Sequence, residues 1–514
     1  MTVSTAYAEK VTLRSIDGSI SMNGELLSFD GEYYVLKVML GQFEIAVADV
    51  TCEGEFCPEL MNSDFRLTGS STLAQVLIPS LFQEFAGGYG LSLTLGDPTF
   101  MGAMPVQRYL FSTPEGEAFA DVEVHSLASN MAFNSLLGGA SEIALSSRAI
   151  TASELDTFAA AGLGDLSDEN FQVVAALDGL IVIVPPENEV RALTMQELSQ
   201  IFSGQISNWV QLGGADAPIN VYRRDEASGS ASDFSAVVLD PLGATFSTSS
   251  TAFTDDISLV RAVKDDPNGI GFTSFAYQQN TRVVLLRGTC GFISMPSEFT
   301  VKTGEYPLAR RVYLYTTNRM FGAIPVEKAE KALGFLAFVK NDQGQNAAEV
   351  SGFVSQSISA LPIEVKGQRL INTMLAGQGD VGFGEIRRMI SELSGAIRLS
   401  STFRFKTNVV ELAAQARGDI PRLAAYLQNN DFAGREVLIA GYSDAAGGAS
   451  QNAALSQRRA QQVLDELTAE LGDEAANYTF VVKGFGEVSP QGCNDSLSGR
   501  AVNRRVEVWV RVAT

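Results

Sequence analysis

Between residues 9 and 60 apolar and polar residues alternate in short runs. Val11, Leu13 and Ile16 precede Asp17-Gly18, and Ile20 to Phe29 precedes Asp30-Gly31. Tyr33, Val35 and Lys37 lead to Leu40-Gly41, and Phe43, Ile45 and Val47 close the series. Period-two alternation marks half-buried strands, and Asp-Gly suits a tight hairpin because both turn positions tolerate positive φ. The expectation is a small all-β module, a β-roll or barrel, at 9–60. Over 64–363 the period changes. Leu73, Leu77, Leu81 and Phe85 fall at helical spacing, whereas Leu180 to Val184 reads as a buried strand stopped by Pro185-Pro186. Alternating strands and helices predict an α/β fold, here long enough for two lobes. Residues 364–397 read as a linker with helical spacing at Ile386, Met389, Ile390 and Leu393. Over 398–514 the order is strand, helix, strand, helix, strand: Val437 to Ala440 is a strand, Ala460, Val463, Leu464, Leu467 and Leu471 share a helix face, and Val506, Val508 and Val510 alternate. That is an α+β domain, in a multidomain chain.

Composition narrows the function. The 514 residues are 46% hydrophobic and 19% charged, which is globular. The balance of 37 basic against 59 acidic residues gives a net charge of −22. Nucleic acid is therefore not an expected partner, because duplex binding needs Lys and Arg to neutralise phosphates. A small anion in a pocket remains open, since local donors decide it. One histidine, His125, argues against His-based triads and most metal sites. No enzyme activity, metal or cofactor is expected.

No apolar run approaches the roughly 20 residues of a membrane helix. Ala6-Tyr7-Ala8 before Glu9 resembles an export cleavage site without the apolar stretch that should precede it, which makes export an expectation. No cysteine near the amino terminus suggests lipid attachment. Cys52 and Cys57 flank Gly54 and are expected to close a small disulfide loop, with two free thiols or a zinc site as the alternatives. Cys290 and Cys493 are free or paired.

Three hydroxyl clusters carry candidate chemistry: Gly69-Ser70-Ser71-Thr72 before a helix, Ser146-Ser147-Arg148 after a strand-like run, and Arg224-Asp225-Glu226-Ala227-Ser228-Gly229-Ser230 before another helix. Helix first turns offer unpaired N–H groups, hydroxyls add donors, glycine lets the backbone approach, and arginine matches a tetrahedral oxyanion. The plain alternative is that each Ser or Thr only caps its helix.

These residues, with Ser129, Phe133, Leu136-Leu137, Ile143 to Arg148, Ile201-Phe202-Ser203-Gly204-Gln205-Ile206-Ser207-Asn208-Trp209, Gly269-Ile270-Gly271-Phe272 and Tyr306-Pro307-Leu308-Ala309-Arg310, resemble the phosphate-binding proteins of ABC uptake systems. Those belong to the type II periplasmic solute-binding proteins. The resemblance implies a two-lobed α/β fold and a phosphate ligand set of Ser71, Thr72, Ser129, Ser147, Arg148, Arg224, Ser228, Gly229 and Ser230, with Glu226 orienting the arginine. Several members of the family carry an Asp near the Ser147-Arg148 position that can accept the proton of HPO₄²⁻ and reject sulfate; with Arg148 there, the resemblance implies an oxyanion over a neutral ligand before it implies phosphate over sulfate. Arg148 is otherwise a structural ion-pair residue.

Gly441-Tyr442-Ser443-Asp444, Asn452, Leu455-Ser456, Arg458-Arg459-Ala460, Gly484-Phe485-Gly486-Glu487 and Asn503-Arg504-Arg505-Val506-Glu507 resemble the OmpA-type peptidoglycan-binding domain. The resemblance implies that Asp444 and Arg459 hold the ammonium and carboxylate of the diaminopimelate stem, with Asn452 beside them and Tyr442, Leu455 and Arg505 as weaker candidates. The bland alternative makes Asp444 a turn cap and Arg459 a solvated helix residue. Together the resemblances imply a periplasmic phosphate-binding protein held at the cell wall or outer membrane, with an ABC permease as candidate partner. The competing expectation is an envelope structural protein whose solute-binding domain is degenerate.

Overall fold

The computed structural model describes residues 10–15, 20–29, 33–38, 41–46, 50–53, 63–101, 104–362, 382–412, 418–430, 432 and 434–512. The first alternating runs become strands β1 (Lys10–Ser15), β2 (Ser21–Phe29), β3 (Tyr33–Val38), β4 (Gly41–Ala46) and β5 (Val50–Glu53). They pair antiparallel in the order β4-β3-β2-β1-β5. The module is an antiparallel sheet, and among the described residues β4 and β5 are not paired with each other. Val11, Leu13, Tyr34, Leu36 and Val50 form its buried face. The turn residues Asp17-Gly18 and Asp30-Gly31 lie outside the described residues.

The chain continues through β6 (Phe65–Ser70), α1 (Ile78–Gly88), β7 (Ser92–Leu95), β8 (Thr99–Met101), β9 (Met104–Ser112), β10 (Ala118–Leu127), α2 (Ser129–Gly138), β11 (Ile143–Ser146), α3 (Ala152–Ala160) and β12 (Gln172–Val184). Next come β13 (Ala192–Thr194), α4 (Met195–Phe202), β14 (Asn220–Arg224), α5 (Gly229–Phe234), β15 (Thr251–Phe253), α6 (Asp256–Asp265), β16 (Gly269–Ser274) and β17 (Arg282–Val283). Then follow β18 (Leu285–Arg287), β19 (Ile293–Ser294), α7 (Glu298–Lys302), β20 (Ala309–Tyr315), α8 (Val326–Lys340) and α9 (Asp342–Val350).

The chain divides into two compact units. One holds Met1–Ala176, Asp225–Ser232 and Arg311–Ser351; the other holds Leu177–Arg224, Asp233–Arg310 and Gly352–Thr514. In the first unit the strand order is β20-β11-β6-β10-β9-β7, and β6 lies parallel to both β10 and β11. The helical run after β6 buries Leu73, Leu77, Leu81 and Phe85, as their spacing requires. In the second unit the order is β15-β14-β16-β12, with β14 parallel to β15 and β16. Leu180 to Val184 are all buried there, so that strand reads as a continuous apolar run.

The carboxy-terminal region adds β21 (Ala360–Pro362), α10 (Phe383–Leu393), β22 (Ile397–Arg404), α11 (Asp419–Asn429), β23 (Arg435–Tyr442), α12 (Ala449–Leu471), β24 (Thr479–Gly484), α13 (Leu497–Asn503) and β25 (Arg505–Val512). The sheet order is β21-β22-β25-β23-β24. Val437 and Ile439 face Leu423, Leu427, Val463 and Leu467 of α11 and α12. Leu438 and Ala440, one residue out of phase, face Ile386, Met389 and Leu393 of α10. The sheet is therefore buried on both sides, and the helix in the expected linker completes the second side. Strand β24 and helix α13 add to the order expected from sequence.

Cys290 and Cys493 form a disulfide, and Cys52 is disulfide-bonded; Cys57, its expected partner, lies outside the described residues. Among the described residues no helix is long and apolar enough to cross a membrane.

Candidate functional site

In the first unit the three parallel strands bring their carboxyl ends to one sheet edge. Leu127 of β10 pairs with Ser70 of β6, and Leu145 of β11 pairs with Gly69. In open α/β sheets this edge is where ligands bind. Each strand delivers a hydroxyl residue there: Ser71 and Thr72 after β6, Ser129 after β10, Ser147 after β11. All four are buried. Gly69 makes the approach possible. Its φ is +140°, and a Cβ there would lie 2.2 Å from the Leu145 carbonyl oxygen and 2.5 Å from the Ala132 Cβ.

Ser129 Oγ accepts from the Ser147 amide at 3.2 Å and lies 3.2 Å from Ser147 Oγ. Gly229 closes on the same pair: a Cβ there would sit 2.5 Å from Ser147 Oγ and 2.6 Å from Ser129 Oγ. Asp225 Oδ1 accepts the Ala227 and Ser228 amides, and Ser228 Oγ accepts the Ser230 amide, which shapes the turn. The Ser230 hydroxyl is fully buried and has no hydrogen-bond partner among the described residues. A buried hydroxyl left unpaired is costly, so a ligand acceptor there is worth more than the average hydrogen bond.

Helix capping accounts for Ser228, whose hydroxyl accepts an amide in the first turn of α5, but not for Thr72 or Ser129. Thr151 and Thr194 form capping boxes with Glu154 and Glu197. By contrast Thr72 makes no side-chain cap bond, and the cap position before α2 is Ala128.

Arg148 is committed to its own surroundings. Its guanidinium bonds both oxygens of Glu154 at 2.9 and 2.6 Å, Asn130 Oδ1 at 2.7 Å and the Ala149 carbonyl at 2.9 Å, and it stacks 5.0 Å from the Phe133 ring centre. Burial pushes the Glu154 carboxyl up, but the hydrogen bonds from Arg148 and Thr151 outweigh it and hold it below its ordinary range.

In the second unit Arg224 ends β14 and is 2% exposed. It bonds Asp256 Oδ2, the Thr254 carbonyl at 2.7 Å and the Phe253 carbonyl at 3.3 Å, while Thr273 Oγ1 donates to Asp256 Oδ1 at 2.9 Å. Sequence reasoning missed Asp256, which is 32 residues away, because an acid opening a helix reads as a cap. It also missed the neighbouring buried network, in which Arg310 bonds Asp178 Oδ2 at 2.7 and 2.9 Å.

A cavity of about 500 Å³ in the carboxy-terminal region is lined by Arg404, Phe405, Lys406, Val409, Glu411 and Arg504 among others, and Asp444 and Arg459 sit behind that lining, bonded to Arg504 and to the Lys406 and Val409 carbonyls. Asp444, at the carboxyl end of β23, bonds Arg504 at 2.7 Å. Arg459 on α12 is fully buried; it donates to the carbonyls of Val409 at 2.9 Å and Lys406 at 2.8 Å and lies 5.2 Å from the Phe405 ring. Its Nη1 has no hydrogen-bond partner among the described residues. Burial, then the neighbouring Arg504, draws its pKa down to about 10, against the pull of Asp444. Arg404 is drawn down to about 9, by burial and then by Arg505. Arg404 and Arg459 are thus held by carbonyls, which leaves their charge uncompensated by a carboxylate bond, whereas Arg504 is paired with Asp444.

Asn452 Nδ2 reaches Glu487 at 3.4 Å. Tyr442 and Arg505 pack on each other in the interior, 4.2 Å apart, with Arg505 bonded to Glu507 at 2.7 Å. Arg504, not singled out from sequence, is the residue that engages Asp444.

Residues 100–343 match the PBP superfamily domain, and residues 404–504 match the OmpA family. The phosphate-binding protein PstS of Borreliella burgdorferi is 26% identical over 231 residues, covering 44% of this chain and 76% of that protein. PstS of Bacillus subtilis is 28% identical over 270 residues, covering 52% and 79%. A putative phosphate ABC transporter substrate-binding protein from Clostridium perfringens, solved with bound phosphate, is 21% identical with a TM-score of 0.43, covering 57% of this chain and 98% of that one. The peptidoglycan-associated lipoprotein from Burkholderia pseudomallei is 25% identical with a TM-score of 0.19, covering 21% and 89%.

Proposed function

From a chain that carries a PstS-like PBP superfamily domain and a C-terminal OmpA family domain, both of binding-protein rather than enzyme families, we propose a periplasmic phosphate-binding protein held at the cell wall. The hydroxyl cradle of Ser71, Thr72, Ser129, Ser147, Ser228, Gly229 and Ser230 takes inorganic phosphate. Arg148 frames the cradle through Glu154 rather than touching the ligand. The observation that carries this reading is the convergence of Ser129, Ser147 and Gly229 beside the unpaired Ser230 hydroxyl. An ABC permease is the natural acceptor of the phosphate.

The carboxy-terminal pocket takes the diaminopimelate of the peptidoglycan stem. Its carboxylate meets Arg459, and its ammonium meets Asp444, for which it competes with Arg504. Two measurements test the proposal. Calorimetric titration of the full chain with phosphate gives one site of submillimolar affinity, weakened in Gly229→Val; no heat would sink the phosphate assignment and favour a degenerate domain. Retention on purified sacculi is lost in Asp444→Ala/Arg459→Ala; equal retention of that variant would sink the wall assignment.

A further inference from the structure

The carboxy-terminal domain is seated on the 285–305 segment of the same unit. Cys290, in the turn between β18 and β19, is bonded to Cys493, 203 residues further on. Arg398 of β22 reaches Glu305 at 2.5 Å and Glu507 at 3.2 Å, and lies 5.4 Å from the Phe299 ring. Thr289 donates to Asp495, and Lys302 Nζ donates to Ser359 Oγ at 2.8 Å. Arg404, which lines the stem pocket, uses one guanidinium nitrogen on the Val502 carbonyl and the other on the Thr303 carbonyl at 2.6 Å.

This seam is polar. The two apolar clusters that form the carboxy-terminal core contain no residue between 177 and 310. Polar domain interfaces are weak by themselves, and buried ion pairs return little net stability after desolvation. A covalent link changes that by keeping the partners at high effective concentration. The link also sits beside the proposed ligand residues: Asn494, next to Cys493, accepts from the Ala445 amide at 3.1 Å, one residue from Asp444.

We propose that the Cys290–Cys493 bond is a redox-sensitive latch that keeps the carboxy-terminal domain seated and thereby holds Arg404 in the stem pocket. The proposal rests on the stem-binding assignment above. Cys290 is exposed and Cys493 buried, so an external dithiol attacks the Cys290 sulfur. Cys493 leaves as a thiolate and takes up a proton. The second thiol of the reagent then resolves the mixed disulfide. The dithiol ends as its own disulfide, having given two electrons and two protons to two protein thiols. With the latch open, the Thr303 carbonyl no longer fixes Arg404.

The test uses the full chain as the oxidised wild type, the dithiothreitol-reduced wild type, and Cys290→Ser/Cys493→Ser without reductant, which leaves the Cys52 bond intact. Hydrogen exchange in peptides spanning 285–305 and 489–500 is expected to accelerate by about tenfold when the latch is open, with sacculus retention weakened by a similar factor. Both return on reoxidation of the wild type. Unchanged exchange in the reduced protein and in the double variant overturns the latch. Faster exchange with unchanged retention overturns the dependence of the pocket on it. If sacculi do not retain even the oxidised wild type, the stem assignment fails, and exchange alone still decides the latch.

Discussion

The proposed oxyanion cradle and the proposed stem site would hold a small charged group by opposite means. The cradle is built from neutral hydroxyls and amides at the ends of parallel strands, and glycines at 69 and 229 bring the backbone close. The proposed stem site is built from guanidinium groups, Arg404 and the buried Arg459 on carbonyls and Arg504 on Asp444. Neutral donors fixed by backbone keep their place whether or not the ligand is there. Buried cations carry a desolvation cost that an anionic ligand relieves. The cradle should therefore be most sensitive to shape, and the pocket most sensitive to charge.

Removing charge from the pocket gives the largest expected effect. Asp444→Ala/Arg459→Ala should weaken sacculus retention by about 100-fold, since each charge-assisted bond contributes about 1.5–3 kcal/mol, while phosphate titration is unchanged. A shape change in the cradle comes next. Gly229→Val drives its side chain into the Ser129 and Ser147 hydroxyls, and phosphate affinity should fall by about 10- to 50-fold with retention on sacculi intact.

Arg148→Met separates frame from ligand. It should cost about 1–2 kcal/mol of stability at neutral pH in thermal or urea unfolding, while phosphate affinity stays within about twofold. The sign of the pH dependence follows from Glu154, whose carboxyl is held below its ordinary 4.5. That stabilisation is present above 4.5 and is lost as the pH falls through the lower folded value, so the difference between variant and wild type should shrink in acid. A single hydroxyl gives the smallest effect: Ser129→Ala should weaken phosphate binding by about fivefold, one neutral hydrogen bond of ~1 kcal/mol.

The two sites were legible to different depths. Ser71, Thr72, Ser129, Ser147 and Gly229 stood out because hydroxyls and glycine cluster at element boundaries, where strand ends meet helix starts. That the four hydroxyl residues share one sheet edge depends on β6 lying between β10 and β11, a non-local pairing that no local pattern specifies. Asp256 was hidden for the same reason: its partner is on another strand. In the pocket, Asp444 and Arg459 carry no local signal beyond an acid after a strand and a base on a helix, so only the resemblance singled them out. Helix α10 looked like a linker because its apolar face is short, yet the phase of Leu438 and Ala440 required something on the second side of the sheet. The pairing of Cys290 with Cys493 spans domains, and spacing alone could not indicate it.

Phosphate retained with the wall-bound chain tests the whole account most directly. Full-length protein is loaded on sacculi, washed, and titrated with radiolabelled phosphate. The account predicts one phosphate per retained chain at submillimolar concentration. Retained protein that takes up no phosphate, or phosphate bound only by protein that washes off, would contradict it.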